Sequence, residues 1–311
     1  MKVFVFCVLL MIASAAKAQL LWQVSGRGIH TSYILGTHHL LSAALVDSVA
    51  GVYKAFNECK TIVSELAMNN NDTMQHIQMA SLMPRGADWL HLLKSDTRLR
   101  MDTLLRRWLP FEPMLAARFK PSIIASMIEM ERYKQCIGCN EEFMPMDSYF
   151  QHLAMQLDKP VIGLETVEQQ MDVLTGNSIE WQVELLQQTL LDTDYCTVAN
   201  RLTSQYVAGA LDAIWDDYIN DTSRYAPSQQ DVERLIYSRN VAWVERLPIL
   251  MKQSACFVAV GALHLPGKQG VLQLLRKKGY KVKAVALRGE EFKVQRVHVV
   301  PVRSRPAHRY Q

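Results

Sequence analysis

The sequence predicts an α/β fold: a mixed, partly parallel sheet flanked by helices, with a large helical insertion between the strand-end motifs. Short apolar runs of strand length alternate with longer stretches of helical periodicity. Two of those runs end in Gly-x-x-His, and two others end at a glutamate. With 311 residues and 49% apolar composition, the chain can bury one large core or two small ones, and one domain is the default expectation.

The first two strands are predicted to form a hairpin. Apolar runs cover Leu21 to Val24 and Ser32 to Leu35. Between them, Ser25-Gly26-Arg27-Gly28 suits a turn that needs glycine. The second strand leads directly into Gly36-Thr37-His38-His39.

A strand, helix, strand order follows. The apolar spacing from Ser42 to Cys59 predicts a helix, and the β-branched run from Thr61 to Ser64 predicts a strand that ends at Glu65. Such an order favours a parallel pair.

The segment from about residue 72 to 156 is expected to be an inserted helical cap. Its helix breaks fall at Pro84-Arg85-Gly86, between Pro110 and Pro113, and at Pro121. Its methionines at helical spacing are typical of core filling.

The remaining elements complete one domain, residues 19–302. Val161 to Leu164 predicts a strand ending at Glu165, helical patterns fill Thr166 to Leu250, and the apolar run Ala255 to Val260 predicts a strand that delivers Gly261 to His264. The last elements are a helix ending at Lys277-Lys278-Gly279, closing strands over Lys281 to Leu287 and Phe292 to Val302, and a flexible tail, residues 303–311.

Residues 1–18 have the layout of a cleavable signal peptide. Lys2 precedes an apolar run from Val3 to Ile12, and small residues lead to Ala18. We expect cleavage near Ala18, a secreted or periplasmic location, and no stable membrane anchor after cleavage. A membrane anchor is the alternative, but the run is shorter than the roughly 20 apolar residues that span a bilayer.

The charge balance gives no indication of a nucleic-acid partner. The chain has 34 basic and 30 acidic residues. Lys2 and Lys17 lie in the predicted signal peptide, so the remainder has no strong field of either sign.

Five cysteines remain after the predicted cleavage. Cys136-Ile-Gly-Cys139 lies close enough for a local disulfide in an exported protein, and inert thiols are the other expectation. A redox motif or half of a zinc site are sharper alternatives, but zinc needs two more ligands, and no second Cys or His pair appears at suitable spacing.

Four predicted strand ends carry side chains suited to chemistry. These are His39, Glu65, Glu165 and His264. The carboxyl ends of parallel strands are where α/β sheets bind ligands. Imidazole and carboxylate together suit zinc, manganese, iron or cobalt, which lower the pKa of bound water. A structural histidine or a helix-capping glutamate is the alternative for each residue taken alone.

Aligning the two Gly-x-x-His motifs selects between the adjacent histidines. His39 falls opposite His264, whereas His38 falls opposite Leu263. His39 is therefore the predicted functional residue. The glycine of each motif lets a ligand approach the backbone.

These motifs resemble the TraB/GumN family over nearly the whole chain and in the same order. The resemblance is carried by Leu21 to Gly26, Tyr33 to Leu40, Ser64 to Leu66, Gly163 to Gln170, and Val260 to Gly267 with Gly270 to Leu272. It implies relatives among the TIKI metalloproteases, which are membrane-tethered animal enzymes that need a divalent metal such as manganese or cobalt. It also implies a fold akin to the erythromycin-esterase and ChaN-like proteins.

The resemblance also implies roles for individual residues. His39, Glu65 and His264 carry over as the catalytic or metal-binding set, with Glu165 next. Arg239, in an Arg-Asn pair like that of the family, is expected to orient a carboxylate or bind substrate. A salt bridge of purely structural value is the alternative for Arg239.

The sequence therefore predicts an exported metal-dependent hydrolase, most simply a peptidase acting on a peptide or protein substrate. Manganese, cobalt or zinc would be held by His39, His264 and Glu65, and Glu65 or Glu165 would act as general base. The alternative is a non-enzymatic protein of the cell envelope that binds a metal, haem or a peptide signal. A third class, an inert structural protein, predicts that the four strand-end residues lie too far apart to share an ion.

Overall fold

The fold is described from a computed structural model. The described residues are 19–39, 41, 46–47, 49–68, 71–108, 113–137, 144–222 and 226–285. The predicted signal peptide, the predicted strand from Phe292 to Val302 and the predicted tail lie outside these residues.

Within the described residues, six strands form one mixed sheet in the order β4-β3-β5-β2-β1-β6. β1 pairs antiparallel with β2 and with β6, whereas β2, β5, β3 and β4 run parallel. This sheet confirms the predicted fold class. The strands are β1 (Leu21–Ser25), β2 (Ser32–Thr37), β3 (Thr61–Ser64), β4 (Val161–Gly163), β5 (Cys256–Gly261) and β6 (Lys281–Ala284).

β5 occupies the centre of the parallel part. The predicted strand, helix, strand unit gives parallel strands β2 and β3, but these two are not neighbours, because β5 lies between them and pairs with both. All six residues of β5 are buried. All residues of β2 and β3 are buried as well, so these three apolar strands lie side by side in the interior of the sheet, where both faces are covered.

Helices surround the sheet and build the insertion between β3 and β4. Gly51 adopts a left-handed φ of 77° directly before the first of them, so the helix predicted from Ser42 begins only at Val52 among the described residues. The helices are α1 (Val52–Glu58), α2 (Asn71–Ala80), α3 (Ser95–Trp108), α4 (Pro121–Cys136), α5 (Met146–Gln156), α6 (Val167–Thr175), α7 (Ile179–Leu191), α8 (Tyr195–Val207), α9 (Leu211–Ile219), α10 (Gln229–Val232), α11 (Ser238–Gln253) and α12 (Val271–Lys277).

The residues that the structure describes bury two hydrophobic cores. The larger one surrounds the sheet and includes Phe150 and Ala154 of α5. The smaller one joins helices of the insertion to α7, with Met101 of α3, Ile128 of α4 and Leu186 of α7 among its members. Helices from both sides of β4 in the sequence therefore share one core.

A disulfide joins Cys136, at the end of α4, to Cys196 in α8. The expected local bridge between Cys136 and Cys139 is therefore wrong. The sequence suggested it by proximity, but the packing of α8 against α4 brings a cysteine 60 residues away to a Cα distance of 5.1 Å. Among the described residues, Cys59 and Cys256 are free and buried.

In the described part of the chain, we find no helix with the length and apolar character needed to cross a membrane.

Candidate functional site

The carboxyl ends of the four parallel strands lie side by side. His39 follows β2 by two residues, Glu65 follows β3 directly, Glu165 follows β4 by two residues, and His264 ends a short turn of 3-10 helix after β5. β3 lies next to β5, and β2 lies on the far side of β5, so Glu65 is beside the strand end that leads to His264 and one strand away from the strand end that leads to His39.

Glu65 lies at the centre of this edge. Its Oε1 accepts a hydrogen bond from the Gly261 backbone N–H at 2.8 Å, and its Oε2 accepts one from Arg239 Nη2 at 2.6 Å. The Nε2 atoms of His39 and His264 lie 3.8 and 3.9 Å from Oε1. Burial alone would raise the pKa of Glu65, but His264, His39 and Arg239 together with the Gly261 N–H lower it to about 2. Glu65 is thus an ionised carboxylate.

His264 is buried and held in one tautomer. The Asn240 side-chain amide donates to the backbone oxygens of His264 and Gln269 at 3.2 and 2.9 Å, so its Oδ1 is the acceptor for His264 Nδ1 at 2.7 Å. His264 Nε2 lies 3.2 Å from Arg239 Nη1, which can only donate. Burial lowers the pKa of His264 to about 3, so its Nε2 lone pair is directed into the site.

His39 also faces Glu65 Oε1, the oxygen near which His264 Nε2 lies. Its Nδ1 lies 2.7 Å from Asp147 Oδ2, and its Nε2 faces Glu65. The Asp147 carboxylate raises the pKa of His39 to about 9. The side chain is 60% exposed, so it borders an open part of the site.

His38 is directed elsewhere. Its ring lies 5.9 Å from the Tyr133 ring and 5.7 Å from the Tyr206 ring. Burial lowers its pKa to about 4. The structure thus directs His39, and not His38, toward Glu65.

Arg239 connects the two glutamates. Its Nε and Nη2 bind both oxygens of Glu165 at 2.7 and 3.1 Å, and Trp243 Nε1 donates to Glu165 at 2.8 Å. The guanidinium carbon also lies 4.8 Å from the centre of the Trp243 ring. Both Glu165 oxygens therefore accept from fixed donors.

A turn of π-helix precedes Arg239. It covers Glu233–Tyr237 and joins α10 to α11. Arg239 Nη1 donates to the Leu235 backbone oxygen within it at 3.1 Å. Such bulges redirect the side chains that follow them and are frequent at functional sites.

The glycine of each Gly-x-x-His motif lies close to neighbouring groups. A Cβ on Gly36 would lie 2.9 Å from Leu265 Cδ1 and 3.2 Å from Ala262 Cα. A Cβ on Gly261 would lie 3.2 Å from Glu65 Oε1, 3.3 Å from His39 Nε2 and 3.4 Å from His264 Cδ2. Gly36 therefore lets the two strand ends meet, and Gly261 leaves open the point where the three polar side chains converge.

The site has donors suited to a metal but no assembled metal centre. Within the described part of the chain, no three His, Cys, Asp or Glu side chains are grouped so that they could hold an ion as they stand. Two ligands that each bind an ion at about 2.0–2.2 Å lie at most about 4.4 Å apart. The 3.8 and 3.9 Å separations of Glu65 Oε1 from the histidine Nε2 atoms meet that limit.

Asp147 is a site residue that sequence reasoning missed, and Trp243 is another. Asp147 lies in the first turn of α5, inside the predicted cap, and reaches His39 across 108 residues of chain. Its only sequence signal is an acidic residue at a helix start, which stabilises any helix.

Comparison with known proteins identifies related chains. The TraB/PrgY/gumN family model matches residues 20–284. Metalloprotease TIKI2 of Danio rerio is 25% identical over 310 residues, covering 84% of this chain and 60% of the relative. Metalloprotease TIKI1 of Homo sapiens is 23% identical over 301 residues, covering 81% and 59%. The chain thus spans about 60% of the length of these relatives.

Bacterial relatives are matched over more of their length. The Uncharacterized protein YbaP of Escherichia coli (strain K12) is 27% identical over 245 residues, covering 78% of this chain and 87% of the relative. No solved structure matches the chain.

Proposed function

Because the chain belongs to the TraB/PrgY/gumN family, we propose that it is a metal-dependent hydrolase that cleaves peptide bonds. His39, Glu65 and His264 would hold a divalent ion, with manganese, cobalt and zinc as the candidates. The substrate would be a peptide or protein, and the enzyme would act in the periplasm or outside the cell.

The orientation of the two histidines is the observation that carries the proposal. Each has Nδ1 against an oxygen acceptor, Asp147 for His39 and Asn240 for His264. Each has Nε2 within 3.9 Å of the same Glu65 oxygen. Metal-binding histidines are typically held in this way, with one ring nitrogen anchored by an acceptor. An ion would replace the proton on His39 Nε2 and the Arg239 donor at His264 Nε2.

A divalent ion bound there would lower the pKa of a bound water and polarise the substrate carbonyl. Glu65, held ionised by its surroundings, suits a ligand better than a general base, because a base needs a pKa nearer the working pH. Arg239 is a permanent cation beside His264 and could stabilise negative charge that develops on the substrate.

Glu165 acts through Arg239 in this proposal. Both of its oxygens accept from Arg239, and one also accepts from Trp243. The general-base role predicted for Glu165 would require it to release these donors. We therefore assign Glu165 the task of orienting Arg239.

The peptidase assignment is supported by the names of two relatives, the metalloproteases TIKI2 and TIKI1. The exported location rests on the signal-peptide layout of residues 1–18.

The test is hydrolysis of a peptide library by the purified chain from Gln19 onward, first stripped with a chelator and then given Mn²⁺, Co²⁺ or Zn²⁺. We expect cleavage only with metal, and loss of both cleavage and metal retention in H39A and H264A. H30A is the matched control, because exposed His30 precedes the other end of β2. Metal retention without turnover would indicate a binding protein, and neither activity nor retained metal would overturn the proposal.

A further inference from the structure

We propose that Asp147 is a positioning residue: carried on α5 of the helical insertion, its carboxylate holds the His39 ring with Nδ1 toward the insertion and Nε2 toward Glu65. The inference rests on the proposed function only where it concerns the metal. The orientation of the ring is a property of the chain itself.

Asp147 contacts two residues at the end of β2. Thr37 Oγ1 donates to Asp147 Oδ1, and His39 Nδ1 lies 2.7 Å from Oδ2. Each carboxylate oxygen thus has its own donor on the same strand end, and Thr37 fixes the carboxylate while His39 uses the other oxygen. The Asp147 side chain is only 18% exposed, so water competes weakly for these bonds.

The start of α5 is itself held in place. Tyr206 of α8 donates to the Gly36 backbone oxygen at 2.6 Å and lies 3.2 Å from Met146 Sδ. Further along α5, the buried Phe150 ring packs 4.9 Å from the Phe257 ring of β5. Asp147 therefore lies on a rigid support and not on a free loop.

The same face of α5 also holds the strand end that carries Glu65. Gln151 is four residues after Asp147, so the two side chains lie on one face of the helix. Gln151 Nε2 donates to the Leu66 backbone oxygen at 3.0 Å, and its Oε1 accepts from the Met68 N–H at 2.7 Å. α5 thus fixes the β2 and β3 strand ends relative to each other, which sets His39 against Glu65.

A carboxylate at this position has a defined chemical effect. An imidazole that donates Nδ1–H to an acceptor presents Nε2 in a single direction. Loss of such an outer partner typically weakens metal binding about 10–100-fold. Asn in place of Asp would keep an oxygen for Nδ1–H but lose the charge.

The experiment compares D147A and D147N with wild type, with D96A as matched control. Asp96 also lies in the first turn of an insertion helix, α3, so D96A loses the same favourable charge at a helix start without touching His39. In the metal-free protein, we expect the NMR spectrum to contain a downfield proton on His39 Nδ1, present in wild type, D96A and D147N and lost in D147A. Persistence of this signal in D147A, or its absence from wild type, would overturn the proposal.

Mn²⁺ titration by calorimetry supplies the second readout. We expect the Mn²⁺ dissociation constant to rise about 10–100-fold in D147A, less in D147N, and not at all in D96A. Equal affinities in D147A and D96A would overturn the role of Asp147 toward the metal. If wild type binds none of Mn²⁺, Co²⁺ and Zn²⁺ in the same titration, the proposed function fails, while the Nδ1 proton signal still decides the role of Asp147 toward His39.

Discussion

At the scale of single residues, the site is organised around a carboxylate that is kept ionised. Glu65 is buried and Arg239 is largely covered, with exposed side-chain fractions of 7% and 11%. A buried charge is tolerated only when it is paired and hydrogen-bonded. The contacts that hold Glu65 also leave one of its oxygens facing two imidazoles, so stability and proposed function depend on the same atoms.

Removing Glu165 tests how much the ion pairs of Arg239 contribute to the stability of the fold. We expect E165A to lower the free energy of unfolding by about 3 kcal/mol. This is the lower end of the range for breaking a buried ion pair, because Arg239 keeps its second ion pair, with Glu65. Urea unfolding followed by circular dichroism measures the change. D217A is the control, since it breaks the exposed Arg201–Asp217 pair and should cost less than about 1 kcal/mol. Equal losses in the two variants would contradict the importance of Glu165.

Gly261 tests whether the convergence point of the site must remain open. We expect G261A to fold, because Gly261 has an ordinary φ of −51°, but to weaken Mn²⁺ binding at least about tenfold. The physical reason is that the new Cβ would occupy the point within 3.4 Å of His39, Glu65 and His264. Calorimetric Mn²⁺ titration measures the affinity, and a thermal melt checks the fold. Unchanged affinity would show that Mn²⁺ binds away from the point that His39, Glu65 and His264 surround.

At the scale of elements, the disulfide between α4 and α8 links the helices beside the site. It closes a loop over a sequence separation of 60, for which the loss of unfolded-chain entropy corresponds to about 4 kcal/mol. We expect reduction to lower the free energy of unfolding by about that amount. Urea unfolding with and without reductant measures it.

The C136S/C196S double variant is the control for that measurement, because it should be insensitive to reductant. If wild type unfolds at the same urea concentration in both conditions, the pairing is contradicted.

The positions of individual strands were predictable from the sequence, but their order in the sheet was not. The apolar runs of β2, β3 and β5 are local signals, and so are the histidines and glutamates that end the strands. The insertion of β5 between β2 and β3 depends on pairing between strands that are far apart in the chain, which a pattern along the chain does not specify. The Cys136 pairing failed for the same reason, since it depends on how α8 packs against α4.

The candidate site was predictable to a similar extent. Selecting His39 over His38 needed only the alignment of two motifs, and the structure directs His39 to Glu65. The family resemblance predicted that Arg239 would orient a carboxylate, but it did not identify that carboxylate as Glu165. The contacts of Asp147 and Gln151 arise from the docking of α5 on the sheet, so no spacing in the sequence could indicate them.

At the scale of the whole molecule, the sheet and the insertion contribute to one site. The parallel strands bring His39, Glu65, Glu165 and His264 to one edge, α11 supplies Arg239, and α5 supplies Asp147. This edge is where α/β sheets bind ligands. Within the described residues the insertion is therefore part of the site's framework and not only a cover over the core.

Anomalous diffraction from crystals of the protein soaked in Mn²⁺ tests most directly whether His39, Glu65 and His264 hold a divalent ion. We expect a single strong peak about 2.0–2.2 Å from His39 Nε2, a Glu65 oxygen and His264 Nε2. A peak that lies away from these three residues, or no peak there under conditions in which Mn²⁺ activates peptide hydrolysis, would contradict the account.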